Sequence, residues 1–410
     1  MSRTGFEECA GVTQWCLTSI GYWPVIHEKR HWFFQILLPI VTPTAMILFV
    51  IVPQIEKIYL SRNNFSIVMD TLAVAVVGCI LCLWKFLGLH SNQNDLQNIV
   101  ENIELDWKTA NEHEQIIMWK NAKKSRIVTT IIFSSTFANL SNLLMGVIIG
   151  CYYAEANRIG NGTIERPYYV LSHFDFDAQK SPIYELLVIG QFLGCFFASL
   201  IHTGYDGLFV FTILHYSGQL HNLRFSVENV AKECLKKKCT LKSLLRPLIR
   251  VHQRLDNFVL IIEKSFNQLF LGQILTSSLL ICLQGYRFIL LLSEVKTEVI
   301  PEISFLISYF LSIILSIFMY CYMAEQLRIQ NDELFKSIFK MEWYELPCKE
   351  TKLLIIFMSQ SVSATRITMG KFAEFSLEYF CTILKNVAGY ISMLLALRDR
   401  FVHTDLILVE

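Results

Sequence analysis

Residues Phe375 to Leu397 read FSLEYFCTILKNVAGYISMLLAL, and this stretch decides how the rest of the chain is read. At about 1.5 Å per residue it is long enough to cross a hydrocarbon core of roughly 30 Å as one helix. Asn386, Tyr390, Met393 and Leu397 recur at steps of three and four and share one side of that helix. Gly389, Ser392 and Ala396 share another, with side chains small enough for a neighbouring helix to approach closely. A stripe that packs beside a stripe grading from polar to apolar suits a pore-lining helix. The same pattern also suits a helix packed on both sides by lipid or protein.

The composition agrees with a membrane protein. The chain has 410 residues, 53% hydrophobic and 17% charged, whereas soluble domains carry about a quarter charged residues. Seven apolar runs stand out, at roughly 32–53, 67–89, 127–153, 183–214, 266–293, 302–324 and 375–397. The fourth exceeds what a bilayer needs, which predicts tilt or extension beyond it. Residues 1–31 lack the apolar core and small-residue cleavage site of a signal peptide, so the first span is expected to direct insertion itself.

Lysine and arginine set the expected orientation. With a cytoplasmic N-terminus the inner segments carry 25 of them and the outer segments 8. That arrangement puts the C-terminus outside and opposes a G-protein-coupled receptor, as does the absence of Asn-Pro-x-x-Tyr near the last span. Of the 12 cysteines none falls in an expected outer loop, so free thiols are predicted. Two sequons, at Asn64 and Asn161, fall in outer loops, with Asn161 the better glycosylation candidate. A net charge of +1 gives no reason to expect nucleic-acid binding, and no catalytic, phosphate-binding, cofactor or metal motif is present.

Between the spans, Leu241, Leu244, Leu245, Leu248, Val251, Leu255, Phe258, Val259 and Ile262 recur at three- and four-residue steps and predict an amphipathic helix after Lys236-Lys237-Lys238. Leu353, Leu354, Ile356 and Phe357 are too few to span and too apolar for water, and the two stretches are expected to pack as one domain below the membrane. Gly146/Gly150 and Gly190/Gly194 have the spacing for close helix contact, expected within the subunit. Pro39 and Pro43 are expected to kink the first span. Among ionisable residues in spans, Asp70 and Glu185 lie where they can reach the interface, Lys85 and Lys385 where they can extend toward lipid phosphates, and Arg287 and Asp206 where a partner is needed.

Several motifs point to one family. Ile367-Thr368-Met369-Gly370-Lys371-Phe372, Ser376-Leu377-Glu378, Phe380, Ile383-Leu384-Lys385 and Tyr390 resemble the C-terminal signature of insect odorant receptors. Gly21-Tyr22-Trp23-Pro24, Ile103-Glu104-Leu105-Asp106-Trp107, His252-Gln253 with Phe258 and Glu263, and Trp343-Tyr344-Glu345-Leu346-Pro347 are similar to further elements of that family. The resemblance covers Gly21 to Leu397 and implies an all-α membrane protein with seven transmembrane helices, N-terminus cytoplasmic and C-terminus extracellular. The implied divisions are 1–31 cytoplasmic, 32–214 spans one to four with an outer ligand pocket, 215–265 anchor helices, 266–324 spans five and six, 325–374 an anchor segment, 375–397 the pore helix, and 398–410 an extracellular tail.

The same resemblance implies function. An odorant would open a nonselective cation pore lined by the last helix, with Met393 and Leu397 as an apolar constriction, Tyr390 and Asn386 on the pore face, and Glu378 as an acidic ring near its inner end. It implies a pocket for a small, mostly apolar volatile between spans two, three, four and six. Depth alone suggests Val74, Val77, Asn142, Met145, Ile189, Phe192, Phe305 and Tyr309. The second inner loop is shorter than in the obligate co-receptor, so a heterotetramer with that co-receptor is expected, in the ciliary dendrite membrane of olfactory neurons. A gustatory-type channel of the same fold is the alternative, and a metabotropic seven-span receptor a more distant one.

Overall fold

The computed structural model describes residues 2–23, 32–159, 165–237, 240–292, 300–345, 352, 354–355, 357–358 and 366–407. Among the described residues the regular structure is helical apart from one two-stranded hairpin. Helix α1 (Ser2–Ser19) precedes the first span, which is built from α2 (Trp32–Met46), a π turn (Ile47–Ile51) and α3 (Val52–Leu60). The second follows the same plan: α4 (Phe65–Thr71), a π turn (Leu72–Val76) and α5 (Val77–Ser91). After α6 (Gln93–Thr109) come four long helices, α7 (Glu112–Ile159), α8 (Ile183–Lys237), α9 (Leu241–Leu292) and α10 (Ile300–Lys340), and finally α11 (Leu377–Ile407). Six helical segments among the described residues are long and apolar enough to cross a membrane, and α11 adds 31 helical residues. Helical assignment continues through Pro39 and Pro43 to the π turn at Ile47.

The stretch 215–265, expected as anchor helices, is helical in continuation of the spans before and after it. Helix α8 runs 55 residues, about 80 Å, past position 214, and α9 passes position 265 without a break. The apolar stripe from Leu241 to Ile262 is buried or half-buried along α9. It packs with α6 and α8, and His252 meets the Phe357 ring edge-on at 5.5 Å. This end of the bundle gathers the Lys- and Arg-rich segments and is called the basic end below.

Asp106 fixes α6 to its neighbours there. One carboxylate oxygen lies 3.0 Å from His215 Nε2 on α8 and the other 2.6 Å from an Arg254 guanidinium nitrogen on α9. Burial pushes the Asp106 carboxyl up, but the hydrogen bonds and charges of His215 and Arg254 outweigh it and hold the group below the ordinary carboxylate range.

Helix α1 is a structural element that the charged and polar N-terminal sequence did not announce. The helix is kinked at Gly11, and Phe6, Ala10, Thr13, Cys16 and Leu17, with Ile20 just beyond its end, are buried where it meets α7 and α8. Gly204 and Gly207 of α8 make room for it: a Cβ at Gly204 would lie 2.9 Å from Leu17 Cδ2, and one at Gly207 2.6 Å from Thr13 Oγ1. Just beyond, the Tyr22 hydroxyl hydrogen-bonds His90 Nδ1 at 2.9 Å.

The two glycine pairs behave differently. Gly190 and Gly194 accept the first span, with Phe49 over one and Val50 and the Ala45 carbonyl over the other, a contact within the subunit as expected. Gly150 instead faces Pro167, and a Cβ at Gly146 would meet nothing within 4 Å. Among the described residues of this subunit, span three therefore does not use its pair for helix packing.

Candidate functional site: a buried cavity and the helix beneath it

A cavity of about 140 Å³ lies inside the bundle, between the second-span π turn with α5, and α7, α8, α9 and α10. Helix register grades its walls. Toward the end away from the basic end it is lined by Val74, Leu143, Leu280, Phe305 and Tyr309, with the last two rings stacked at 5.5 Å. Toward the basic end the lining turns polar, with Thr136, Asn139, Ser199, His202, Gln273, Ser277, Ser312 and Ser316. Cys79, Cys82 and Cys195 line it as free thiols.

Of the eight positions suggested from depth, Val74, Phe305 and Tyr309 line this cavity. Val77 is half-buried outside it. Asn142 ties α7 to α10, donating to Ser308 Oγ at 2.9 Å and accepting from Ser304 at 3.2 Å. Phe192 lies under Tyr169 of the 165–182 loop, with ring centroids 5.6 Å apart. Met145 and Ile189 point out of the bundle, at 50% and 55% exposure, because depth along a helix does not fix its rotation. The cavity also uses α9, a wall the implied pocket did not include.

The polar lining has a signal in the sequence. Ser304, Ser308, Ser312 and Ser316 repeat every four residues through the apolar α10, so they form one stripe. Thr136, Asn139 and Asn142 face it from α7. Asn139 donates to Ser312 at 3.0 Å, and Ser316 lies 3.4 Å from His202 Nε2.

Below His202 sits a buried ion pair. Lys85 of α5 and Asp206 of α8 meet at 2.6 Å with both side chains 0% exposed. The three ammonium protons have three acceptors: Asp206 Oδ1, the Tyr320 hydroxyl at 3.3 Å and His202 Nδ1 at 3.0 Å. Lys85 therefore does not extend toward lipid phosphates. Asp206 finds the partner it was expected to need, and Arg287 pairs with Asp70 at 2.8 Å and with Glu302. Glu185 is half exposed and pairs with Arg166 at 3.2 Å.

Tyr320 connects this pair to the last helix. It donates to Asp206, and its ring lies 5.9 Å from Phe375, which begins the α11 region. Immediately before α11, Thr368–Met369 and Ala373–Glu374 form an antiparallel hairpin, pairing Thr368 with Glu374 and Met369 with Ala373. Gly370 and Lys371 turn it with φ of 58° and 63°, a left-handed pair of the kind that favours glycine. The hairpin is fastened to α9 by Gly370 N to Asn267 O at 3.1 Å and Thr368 N to Glu263 Oε2 at 3.0 Å.

Helix α11 packs through Ile383, Val387 and Ile391, the last filling the space over Gly285 of α9. Gly389 and Ser392 of the small-residue stripe do not serve this purpose inside the subunit: Ser392 is exposed and a Cβ at Gly389 would meet nothing within 4 Å, while the Ala396 side chain lies outside the described residues. Asn386, Tyr390 and Met393 lie on the uncovered side, the latter two at 55% and 60% exposure, and Glu378 is exposed in the first turn. Leu397 is helical, and its side chain lies outside the described residues, as does Asn161. Asn64 caps α4, accepting from Ile67 N at 3.4 Å.

Known proteins resemble this chain in sequence and in overall fold. The chain is 27% identical to Odorant receptor 67b of Drosophila melanogaster over 229 residues, 56% of this chain and 52% of that receptor. It is 23% identical to Odorant receptor 13a of the same fly over 402 residues, 91% of this chain and 92% of the other. The solved olfactory receptor OR5 of Machilis hrabei in complex with eugenol superposes with a TM-score of 0.77 at 16% identity, covering 96% of this chain and 98% of that one. These relatives are odorant receptors, not enzymes. A family model described as 7tm Odorant receptor matches residues 64–388, and the chain belongs to the insect odorant receptor family.

Proposed function

We propose that this chain is a ligand-tuned subunit of a heteromeric, odorant-gated, nonselective cation channel, and that the cavity between α5 and α7–α10 is where the odorant binds. The observation that carries this reading is the pairing of a cavity with aromatic and polar walls with a last helix that leaves Asn386, Tyr390 and Met393 uncovered. An uncovered face of that composition suits a pore around a symmetry axis, with Met393 and Leu397 closing it by dewetting and Glu378 attracting cations. The excess of Lys and Arg at the basic end supports a cytoplasmic N-terminus and an extracellular C-terminus. The cavity would then lie nearer the outer side, and the basic end would hold four subunits together. The Machilis hrabei receptor was solved with eugenol, which supports a small volatile as ligand on this fold. The co-receptor is the proposed partner, and the dendritic cilium of an olfactory neuron the proposed location.

Whole-cell current in a receptor-null line, with and without the co-receptor, tests the reading against a panel of volatiles. Fast cation current only on co-expression, persisting under G-protein block, is the expected result. Current from this chain alone would replace it with the gustatory-type homomer, and a current abolished by G-protein block would overturn the channel assignment. In the same cells Leu397→Ala is expected to raise resting leak, and unchanged leak at equal surface level would remove Leu397 from the gate.

A further inference from the structure

The serine stripe of α10 determines which atom of Asn139 is left for a ligand. Ser308, Ser312 and Ser316 each donate their hydroxyl to a carbonyl of their own helix, at Phe305, Ser308 and Ser312. With its proton committed, the Ser312 oxygen can only accept, so the Asn139 atom 3.0 Å away is the amide nitrogen. The carbonyl oxygen is therefore turned elsewhere. Three residues along α7, Asn142 is set in the same way, but its oxygen receives a hydrogen bond from Ser304. Asn139 Oδ1 is buried and has no hydrogen-bond partner in the protein.

A second acceptor shares the cavity. Gln273 of α9 is buried, its nitrogen donates to Ser277 at 2.9 Å, and its Oε1 has no partner. Two of the lining hydroxyls are committed to their own helices, Thr136 donating to Phe133 O and Ser199 to Cys195 O. The site thus presents two buried acceptors, Asn139 Oδ1 and Gln273 Oε1, that no donor of the described residues reaches. A buried acceptor strongly favours a donor over an acceptor or an apolar group opposite it.

We infer that the ligand of this cavity is a small alcohol or phenol, whose hydroxyl donates to Asn139 Oδ1 while its apolar body lies against Phe305 and Tyr309. Gln273 Oε1 offers a place for a second donor. The size limit comes from the volume. An engineered protein cavity of about 150 Å³ takes benzene, so a single ring or a chain of about six to eight carbons fits the roughly 140 Å³ here. The inference rests on the reading of this cavity as the odorant site, which the experiment treats separately.

The full-length chain, fused to a fluorescent protein and extracted from cells that also express the co-receptor, is heated in the presence of benzyl alcohol, benzyl methyl ether or toluene. 1-Hexanol and hexanal form a second matched set. Each alcohol is expected to stabilise the fold at concentrations about two- to tenfold below its ether or aldehyde, the span of one neutral hydrogen bond. Asn139→Leu is expected to erase that preference while the ether still binds. An ether or aldehyde equal to its alcohol, or a preference that survives Asn139→Leu, overturns the donor inference and leaves the cavity as a site. The comparison on the unsubstituted chain holds even if the variant fails to fold. If no member of either set stabilises the chain, and Tyr309→Ala leaves the response to its agonists unchanged, the cavity is not the odorant site and both readings fall.

Discussion

The Lys85–Asp206 pair allows a quantitative test of how the bundle is held. Both groups are withdrawn from water, and each ammonium proton has its own acceptor. Replacing one partner leaves an uncompensated charge at the centre of the bundle, which costs about 3–5 kcal/mol. Lys85→Met keeps the length of the stem, so the loss is charge and hydrogen bonding rather than volume. At about 2.1 cal/mol/K of unfolding entropy per residue, a chain of 410 residues would lose about 4–6 °C in midpoint. The double change Lys85→Met with Asp206→Leu removes both charges. Apolar replacement of a buried pair is often neutral, so its midpoint is expected within about 2 °C of the parent. Fluorescence-detected unfolding of detergent extracts reads all four proteins of the cycle. If the double variant loses as much as the two single losses together, the groups do not act as a pair and the reasoning fails.

Asp106→Asn is expected to destabilise the chain at neutral pH. The depressed carboxyl stabilises the fold above the ordinary carboxylate range, and that contribution disappears as pH falls through its lowered value. The gap between variant and parent, followed by midpoint against pH, should therefore close on acidification, and a gap independent of pH would remove the ion pairs as its cause. Gly370→Val is expected to cost about 1–3 kcal/mol, because it strains a left-handed residue whose Cβ would also lie 2.8 Å from Leu271 Cδ2; an unchanged melting midpoint would contradict the hairpin geometry. Gly194→Leu should overpack the first-span contact, by about 1–3 kcal/mol, whereas Gly146→Leu, facing open space, should stay within about 0.5 kcal/mol. Equal effects on surface expression would reverse the assignment of the two glycine pairs.

The apolar runs and the amphipathic stripe of α9 were legible because burial of one face imposes a 3.6-residue period that survives in the sequence. Rotation was not. Met145 and Phe305 were placed by depth on the same footing, yet one faces outward and the other lines the cavity, since depth says nothing about which way a helix is turned. The serine repeat of α10 carries the rotational information, and combined with Asn139 and Asn142 it points into the bundle. Helix α1 escaped because its buried residues include Thr13 and Cys16, which apolar counting passes over, and because its cost is met by glycines nearly two hundred residues away. The Lys85–Asp206 pair escaped for a similar reason: a lone lysine in a span reads as reaching for the interface until its partner on another helix is known.

The unbroken helices also have a mechanical consequence. Helix α10 carries Tyr309 at the cavity and Lys340 at the basic end, 31 residues and about 46 Å apart. Such a helix behaves as a stiff lever, so a tilt of about 5° about the cavity would carry its far tip about 4 Å. The first two spans are jointed instead, each interrupted by a π turn, and the first also contains three prolines. Strain introduced at the cavity would thus be absorbed on one side of the bundle and amplified on the other, which gives a space the size of a benzene ring mechanical reach over the whole length of the protein.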